Sequence, residues 1–411
     1  WLAFRPDGPV ELRIGKVRLG QGVLHALATI AADELDVPLA AIRVVPATTA
    51  SGPNEGITAG SRSMEESGEA IRQACAEARA LFIEAAARRF EGEPREIEVR
   101  DGRFHAAAAS VDYGQLASSV DLAREASGTV VAKGAAALRL VGRDAPRADL
   151  LARVFGEPLF VHDLALPGMA FGRIVRPPSS GARLEALDDA AVRGMPGVLA
   201  VVRDGSFLGV VAAREDEAAR AAEALAAAAR WRDVGLELPD EATIAALLPT
   251  LPSEDTVARD DPAPDLTAPG VRVHEAVFTK PYIAHGSIGP SAAVARWGAG
   301  AAGGDASEVG PAGADASDGG ADAPAAGGDA RAAGADAISS EPGIAVSPLA
   351  LEVWSHSQGI HPLRADLARV LDLPVGSIAI HHVDGAGCYG HNGADDVALD
   401  AFEHCGQSFV P

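Results

Sequence analysis

Apolar side chains along this chain switch repeatedly between a period of two and a period of three to four. Leu24, Leu27, Ile30 and Ala31 recur at helical spacing and predict a helix from about Val23 to Leu35. It is preceded by strands at Leu2–Arg5 and Val10–Ile14 around the turn Pro6-Asp7-Gly8, and followed by a strand over Ile42–Pro46. A loop of small residues, Thr48 to Ser63, leads into a long helix from Glu65 to about Phe90. Pro94–Val99, Arg103–Ala106 and Tyr113 suggest a small strand excursion. Further on, Gly197–Val201 and Phe207–Val211 are strand candidates, and Glu215–Ala229 has the composition of a helix. Val271–Phe278 predicts a strand, and Ser291–Trp297 with Ala345–Trp354 predicts a hairpin. Pro362–Leu373 then predicts a helix, apolar at Leu363, Leu367, Val370 and Leu371, and Ser377–Val383 a last strand.

This order predicts an α+β fold in four pieces. Residues 1–150 form a first α/β segment, 151–235 a compact inserted module, 236–269 an acidic, proline-dotted linker, and 270–411 a second segment. Within the last, residues 298–342 are Gly/Ala/Asp/Ser-rich with almost no large apolar side chain, so a mobile surface insertion is expected. At 411 residues with a formal net charge of −22, the chain can bury sizeable cores and is not expected to bind nucleic acid. Its three cysteines, Cys75, Cys388 and Cys405, have no paired spacing, which supports neither a disulfide framework nor a zinc or iron–sulfur site in this chain. Any redox electrons would have to leave for another polypeptide. No membrane span is predicted. The opening Trp1-Leu2-Ala3-Phe4 has no leader character, so the expected compartment is cytoplasmic, or periplasmic where an export signal has been lost.

Candidate chemistry sits at three small-residue turns. Gly20-Gln21-Gly22 stands where a strand passes into a helix; first-turn N–H groups and the helix dipole favour an anion there, although a tight turn with a capping role explains the same residues. Thr58-Ala59-Gly60-Ser61 precedes the long helix, whose start Ser63 could cap with Glu66 in a capping box, leaving Ala59, Gly60 and Ser61 to face a ligand. Trp354-Ser355-His356-Ser357-Gln358 ends a strand in a polar cluster, and the next strand delivers the chain into Gly385-Ala386-Gly387-Cys388-Tyr389-Gly390-His391. The histidines are too scattered for a compact metal site, and no protein metal ligand is expected. His285 is expected to be structural or substrate-facing, and Asp395, Asp396 and Asp400 to cap a helix.

Together the string Gly15-Lys16-Val17-Arg18-Leu19-Gly20-Gln21-Gly22, the strand-end Gln358 and the Gly387-Cys388-Tyr389-Gly390 turn resemble the molybdenum-cofactor-binding subunits of the xanthine dehydrogenase/aldehyde oxidase family, in particular the isoquinoline 1-oxidoreductase β branch. The resemblance implies a molybdenum–pterin cofactor, as molybdopterin or its cytosine dinucleotide, and an inserted α/β hammerhead module in the 151–235 region. It implies that Gln358 and Tyr389 serve the metal centre. Gly20, Gln21, Gly22, Ala59, Gly60, Ser61, Gln358, Gly387, Cys388, Tyr389 and Gly390 would bind the cofactor. The implied reaction is hydroxylation, with oxygen from water, of an aldehyde or N-heteroaromatic carbon. Electrons would pass to a small subunit carrying [2Fe–2S] clusters and then to a cytochrome or flavin subunit. Tyr389 stands where the wider family usually has phenylalanine, and Gly393 where a substrate-orienting glutamate often follows, so a purine-type carboxylate contact is not expected. The family's basic glutamate in a G-x-G-E sequence is absent from these residues, so the 411-residue chain by itself is expected to turn over little, either as part of an enzyme or as an inactive truncated homologue.

Overall fold

The computed structural model describes residues 1–6, 8–179, 181–233, 239–254, 256–262, 264–283, 286, 288–297, 310–311, 349–385, 387–390 and 392. Helix and strand are mixed throughout, as the α+β pattern requires. In the first segment Val10–Arg13 is the middle strand of a three-stranded sheet, antiparallel to Leu2–Ala3 and parallel to Ile42–Val45. A parallel pair needs a crossover, and the Val23–Leu35 helix provides it. Its buried stripe packs with Ile71, Cys75 and Phe82 of the Glu69–Phe90 helix over Leu12 and Ile14. A meander of Glu98–Arg100, Arg103–Ala106 and Ala109–Asp112 closes this core. Phe4, Phe82, Phe104 and Tyr113 form its aromatic centre, and the Tyr113 hydroxyl donates to the Leu35 carbonyl at 2.8 Å.

Two local expectations are corrected here. Tyr113 opens a short helix, Tyr113–Leu116, instead of a strand, because Asp112 accepts from the Gln115 N–H and Gln115 returns the bond. The long helix begins with a π-helical turn, Met64–Gly68, and Ser63 caps nothing. Glu66 cannot complete a capping box because its carboxylate is taken by Lys16 and Arg62.

Residues 171–232 enclose a core of their own around Leu184, Leu208, Val210 and Leu225. Val198–Asp204, Phe207–Ala212 and Phe171–Ile174 make one antiparallel sheet, Arg183–Leu187 pairs with Ala229–Arg232, and the Glu215–Ala228 helix covers them. Past this unit the 236–269 stretch holds an unanticipated helix, Glu241–Leu247, capped by Asp240. Val271–Phe278 is not a strand: among the described residues nothing pairs with it, and Val277 and Phe278 are 93% and 91% exposed. Alternating apolar residues suffice to suggest a strand, but only a hydrogen-bonded neighbour makes one.

The third sheet places Leu351–Ser355 between antiparallel Ala293–Trp297 and parallel Ile378–His382, with the Ile360–Val370 helix as crossover. The hairpin register runs from Ala293 opposite Ser355 to Trp297 opposite Leu351. Residues 47–49 extend this sheet from the other end of the sequence: the His382 N–H donates to the Ala47 carbonyl and the Thr49 N–H to the Ile380 carbonyl, both at 2.9 Å. Val17 and Ala47 are buried with Val353, Leu363, Leu367 and Ile380 in the core beneath. Of the 298–342 insertion only Gly310–Pro311 belongs to the described residues, pairing with Leu164–Ala165. Among the described residues no helix is long and apolar enough to cross a membrane.

Candidate cofactor site

Because residues 47–49 run along the third sheet, the loops that leave both segments converge at one end of it. Thr58 is the joint. Its hydroxyl accepts from the Val17 N–H at 3.0 Å, its N–H donates to the Gln358 carbonyl at 2.8 Å, and its carbonyl accepts from the Gln358 side-chain amide at 3.0 Å. Gln358 is thereby buried and fixed, 5% exposed. Beyond Thr58 the turn is exposed at Ala59, Gly60 and Ser61, with Gly60 and Ser61 both in the left-handed region at φ 67° and 58°. Consecutive left-handed residues at a sharp turn present backbone groups outward, and for Ser61 this conformation is strained.

Gly20 shares a cavity with the second glycine loop. Together with Arg18, Arg153, His356, Asp384, Gly387 and Cys388 it lines a cavity of about 110 Å³. Gly22 is the left-handed N-cap of the Val23–Leu35 helix, which has no side-chain cap and no acidic residue in its first turn. Gln21 does not reach outward in this arrangement; its amide accepts from the Leu19 N–H and donates to the Val17 carbonyl, bracing its own turn. Gly387 has φ 114°, open to glycine alone, and the Tyr389 ring lies over it, leaving no room for a side chain. Tyr389, itself at φ 53°, is 47% exposed, Gly390 is exposed, and Cys388 is buried. The structure thus brings Gly20, Gly387 and Cys388 to one cavity and joins Gln358 to the Ala59–Ser61 turn through Thr58. His285, His391, Asp395, Asp396, Asp400 and Cys405 lie outside the described residues.

Residues 1–142 match the molybdopterin cofactor-binding domain family. Over 98% of its length the chain is 32% identical to the second of the nicotinate dehydrogenase subunits of Pseudomonas putida, covering 30% of that protein. It is 30% identical over 54% of its length to the β subunit of isoquinoline 1-oxidoreductase from Brevundimonas diminuta, covering 34% of it. A solved CO dehydrogenase from Oligotropha carboxidovorans is 28% identical over 28% of this chain and 15% of that one, with a TM-score of 0.26. The chain is a relative of the molybdopterin-binding subunits of the xanthine dehydrogenase family. It spans about a third of the length of the curated relatives it matches.

Around this cavity the structure shows groups that sequence reasoning did not select. Asp384 ion-pairs with Arg18 at 3.6 Å and with Arg153, while Asp149 binds Arg153 at 3.1 Å and Arg147 at 2.7 Å. The hydrogen bonds from Arg147 hold the Asp149 carboxyl far below the ordinary range. Arg147 also lies against Gly22, where a side chain would come within 3.2 Å of its guanidinium. Three guanidiniums share two carboxylates, so the network beside Gly20–Gly22 carries a net positive charge. Arg18 could have been suspected from its place in the Gly15–Gly22 string; Arg153 lies far along the chain with no local signal.

Two buried histidines stand in this region, His356 lining the cavity and His382 bonded to the backbone of Arg18. His356 accepts at Nε2 from the Ala292 N–H at 3.2 Å, and the Asn392 amide lies 2.6 Å from Nδ1. Burial, reinforced by His162, pushes its pKa down to about 4. The His382 ring donates from Nε2 to the Arg18 carbonyl at 3.0 Å, its Nδ1 has no partner, and burial with His356 and Arg18 nearby pushes it down to about 3. Both rings are neutral at physiological pH. Among the described residues no cluster of His, Cys, Asp and Glu could hold a metal ion.

Proposed function

We propose that this chain supplies part of the active site of a molybdenum hydroxylase, holding a molybdenum–pterin cofactor between the Gly20–Gly22, Ala59–Ser61 and Gly387–Gly390 turns. The observation that carries this reading is the Thr58 joint, which fixes Gln358 to the Ala59–Ser61 turn and to Val17, while His356, two residues before Gln358, lines the cavity shared by Gly20 and Gly387. The residues suit the group. Exposed glycine turns admit a broad, flat ligand close to the backbone, and the surplus positive charge of Arg18, Arg147 and Arg153 suits its phosphate-bearing tail. When bound, the cofactor supplies the redox chemistry of water-derived hydroxylation. The chain's own contribution is position: one hydrogen of the Gln358 amide is committed to Thr58, and a second remains for a ligand. Tyr389, exposed over Gly387, offers an aromatic wall to substrate.

The names of the curated relatives, nicotinate dehydrogenase and isoquinoline 1-oxidoreductase, support an N-heteroaromatic substrate, with an aldehyde as the other member of the class. Both relatives are themselves subunits, which supports a multi-subunit complex; a [2Fe–2S] subunit and a further cytochrome or flavin acceptor are the partners that the family resemblance implies for it. Residues 171–232, with their separate core, fit the family's hammerhead module inserted between the cofactor segments 1–150 and 270–411. Metal analysis and steady-state turnover with an artificial acceptor test the proposal on the complete complex and on the 411-residue chain. Molybdenum with bound pterin, and oxidation of nicotinate, isoquinoline or an aldehyde by the complete complex, is the expected result. A complex that takes up no molybdenum would refute it.

A further inference from the structure

Lys16 is among the largest fully buried side chains of the described residues, 2% exposed. A lysine is seldom buried unless its three N–H donors are all met. Here they point at the Glu55 carbonyl (2.9 Å), the Ile57 carbonyl (3.4 Å) and the Glu66 carboxylate (3.4 Å). Its neighbours grip the same loop. The Gly15 N–H donates to the Glu55 carboxylate at 2.5 Å, and any side chain at Gly15 would collide with the Pro53 carbonyl. The Val17 N–H donates to Thr58. Three consecutive residues thus fasten residues 53–58, and the fastened loop ends in the two bonds between Thr58 and Gln358.

We infer that Gly15-Lys16-Val17 is a clasp and that Lys16 is a positioning residue for Gln358, acting through the 55–58 loop and Thr58. The inference rests on the proposed cofactor site for its catalytic consequence but not for its structural one. Replacing Lys16 by methionine keeps the stem and takes the donor away from two loop carbonyls. In the 411-residue chain, hydrogen exchange of Lys16→Met should quicken roughly tenfold or more at residues 55–62 and also at 357–360, while the Val23–Leu35 helix keeps its protection. In the complete molybdenum-containing complex the same change should lower kcat with KM unaltered, and should lower it no further in a Gln358→Ala background. If Lys16→Met does not fold, Thr58→Val, which removes only the link to Val17, is read in the same two assays. Unchanged exchange at 357–360 overturns the clasp. Additive losses of kcat overturn its action through Gln358. A wild-type complex without molybdenum removes the proposed function, and the exchange result still decides the clasp.

Discussion

Acid should loosen the third sheet long before its carboxylates titrate, because His356 and His382 are buried uncharged. Their pKa values, about 4 and about 3, lie below the 6.5 of a free histidine. Between those values and 6.5 the unfolded chain binds protons that the folded chain refuses. The associated stability is therefore complete above pH 6.5 and is lost as pH falls through the window toward 4. At pH 5 each unfolded ring is largely protonated, which costs about 2 kcal/mol per histidine, or about 4 kcal/mol for both, relative to neutral solution. The perturbation that isolates one of them is His382→Gln, which retains a donor toward the Arg18 carbonyl and removes the titration. Urea unfolding at pH 7, 6 and 5, followed by hydrogen exchange of the Leu351–Ser355 and Ile378–His382 strands, measures the slope. The wild-type loss should be about halved in the variant. A wild-type stability flat from pH 7 to 5, or an equal loss in both proteins, would refute the assignment of neutral buried rings.

Gly385→Ala should be poorly tolerated, since the added methyl would overlap the His356 ring and must expel it from its bond to Ala292; loss of the neutral-ring signature by NMR titration checks it. Asp384→Ala strips Arg18 and Arg153 of a shared partner and should cost about 1–3 kcal/mol in thermal or urea melts, less in high salt. Gln358→Ala should destabilise by a similar about 1–3 kcal/mol, because the Thr58 carbonyl loses its donor; an unfolding midpoint equal to wild type would contradict the Thr58 joint. Tyr113→Phe orphans the Leu35 carbonyl in the first core and should cost about 1 kcal/mol, read by the same melts.

Local chemistry made much of this fold legible. The Leu24, Leu27 and Ala31 stripe marks a helix whose observed limits are Val23–Leu35, and the strands flanking Gln358 fall within a few residues of their expected places. Turns were harder where a side chain had a choice of partners. Ser63 and Glu66 spell a capping box, yet the buried ammonium of Lys16, 50 positions before Glu66, claims the glutamate. Val271–Phe278 spells a strand, but pairing is decided by neighbours and not by alternation. Of the candidate site, the glycine turns and the strand-end position of Gln358 were legible through backbone freedom and strand pattern, which are features of local structure. Arg153, Asp384, His356 and Asn392 matter through contacts between segments far apart in sequence, and no window of local sequence encodes those.

The seam between residues 47–49 and the Ile378–His382 strand also has a consequence for the order of assembly during synthesis. Thr49 and Ile380 are 331 positions apart, and among the described residues the last to line the cavity shared with Gly20 is Asn392. A ribosome adding about 5–20 residues per second needs on the order of twenty seconds to over a minute to cover that distance. During that interval the Gly15–Gly22 turn and its helix can fold on the first core, but the seat they border does not yet exist. Closing so long a loop is also slow in its own right. On the proposed site, cofactor capture requires chains at least as long as residue 392, and nascent chains arrested before the Ile378–His382 strand has emerged should bind none.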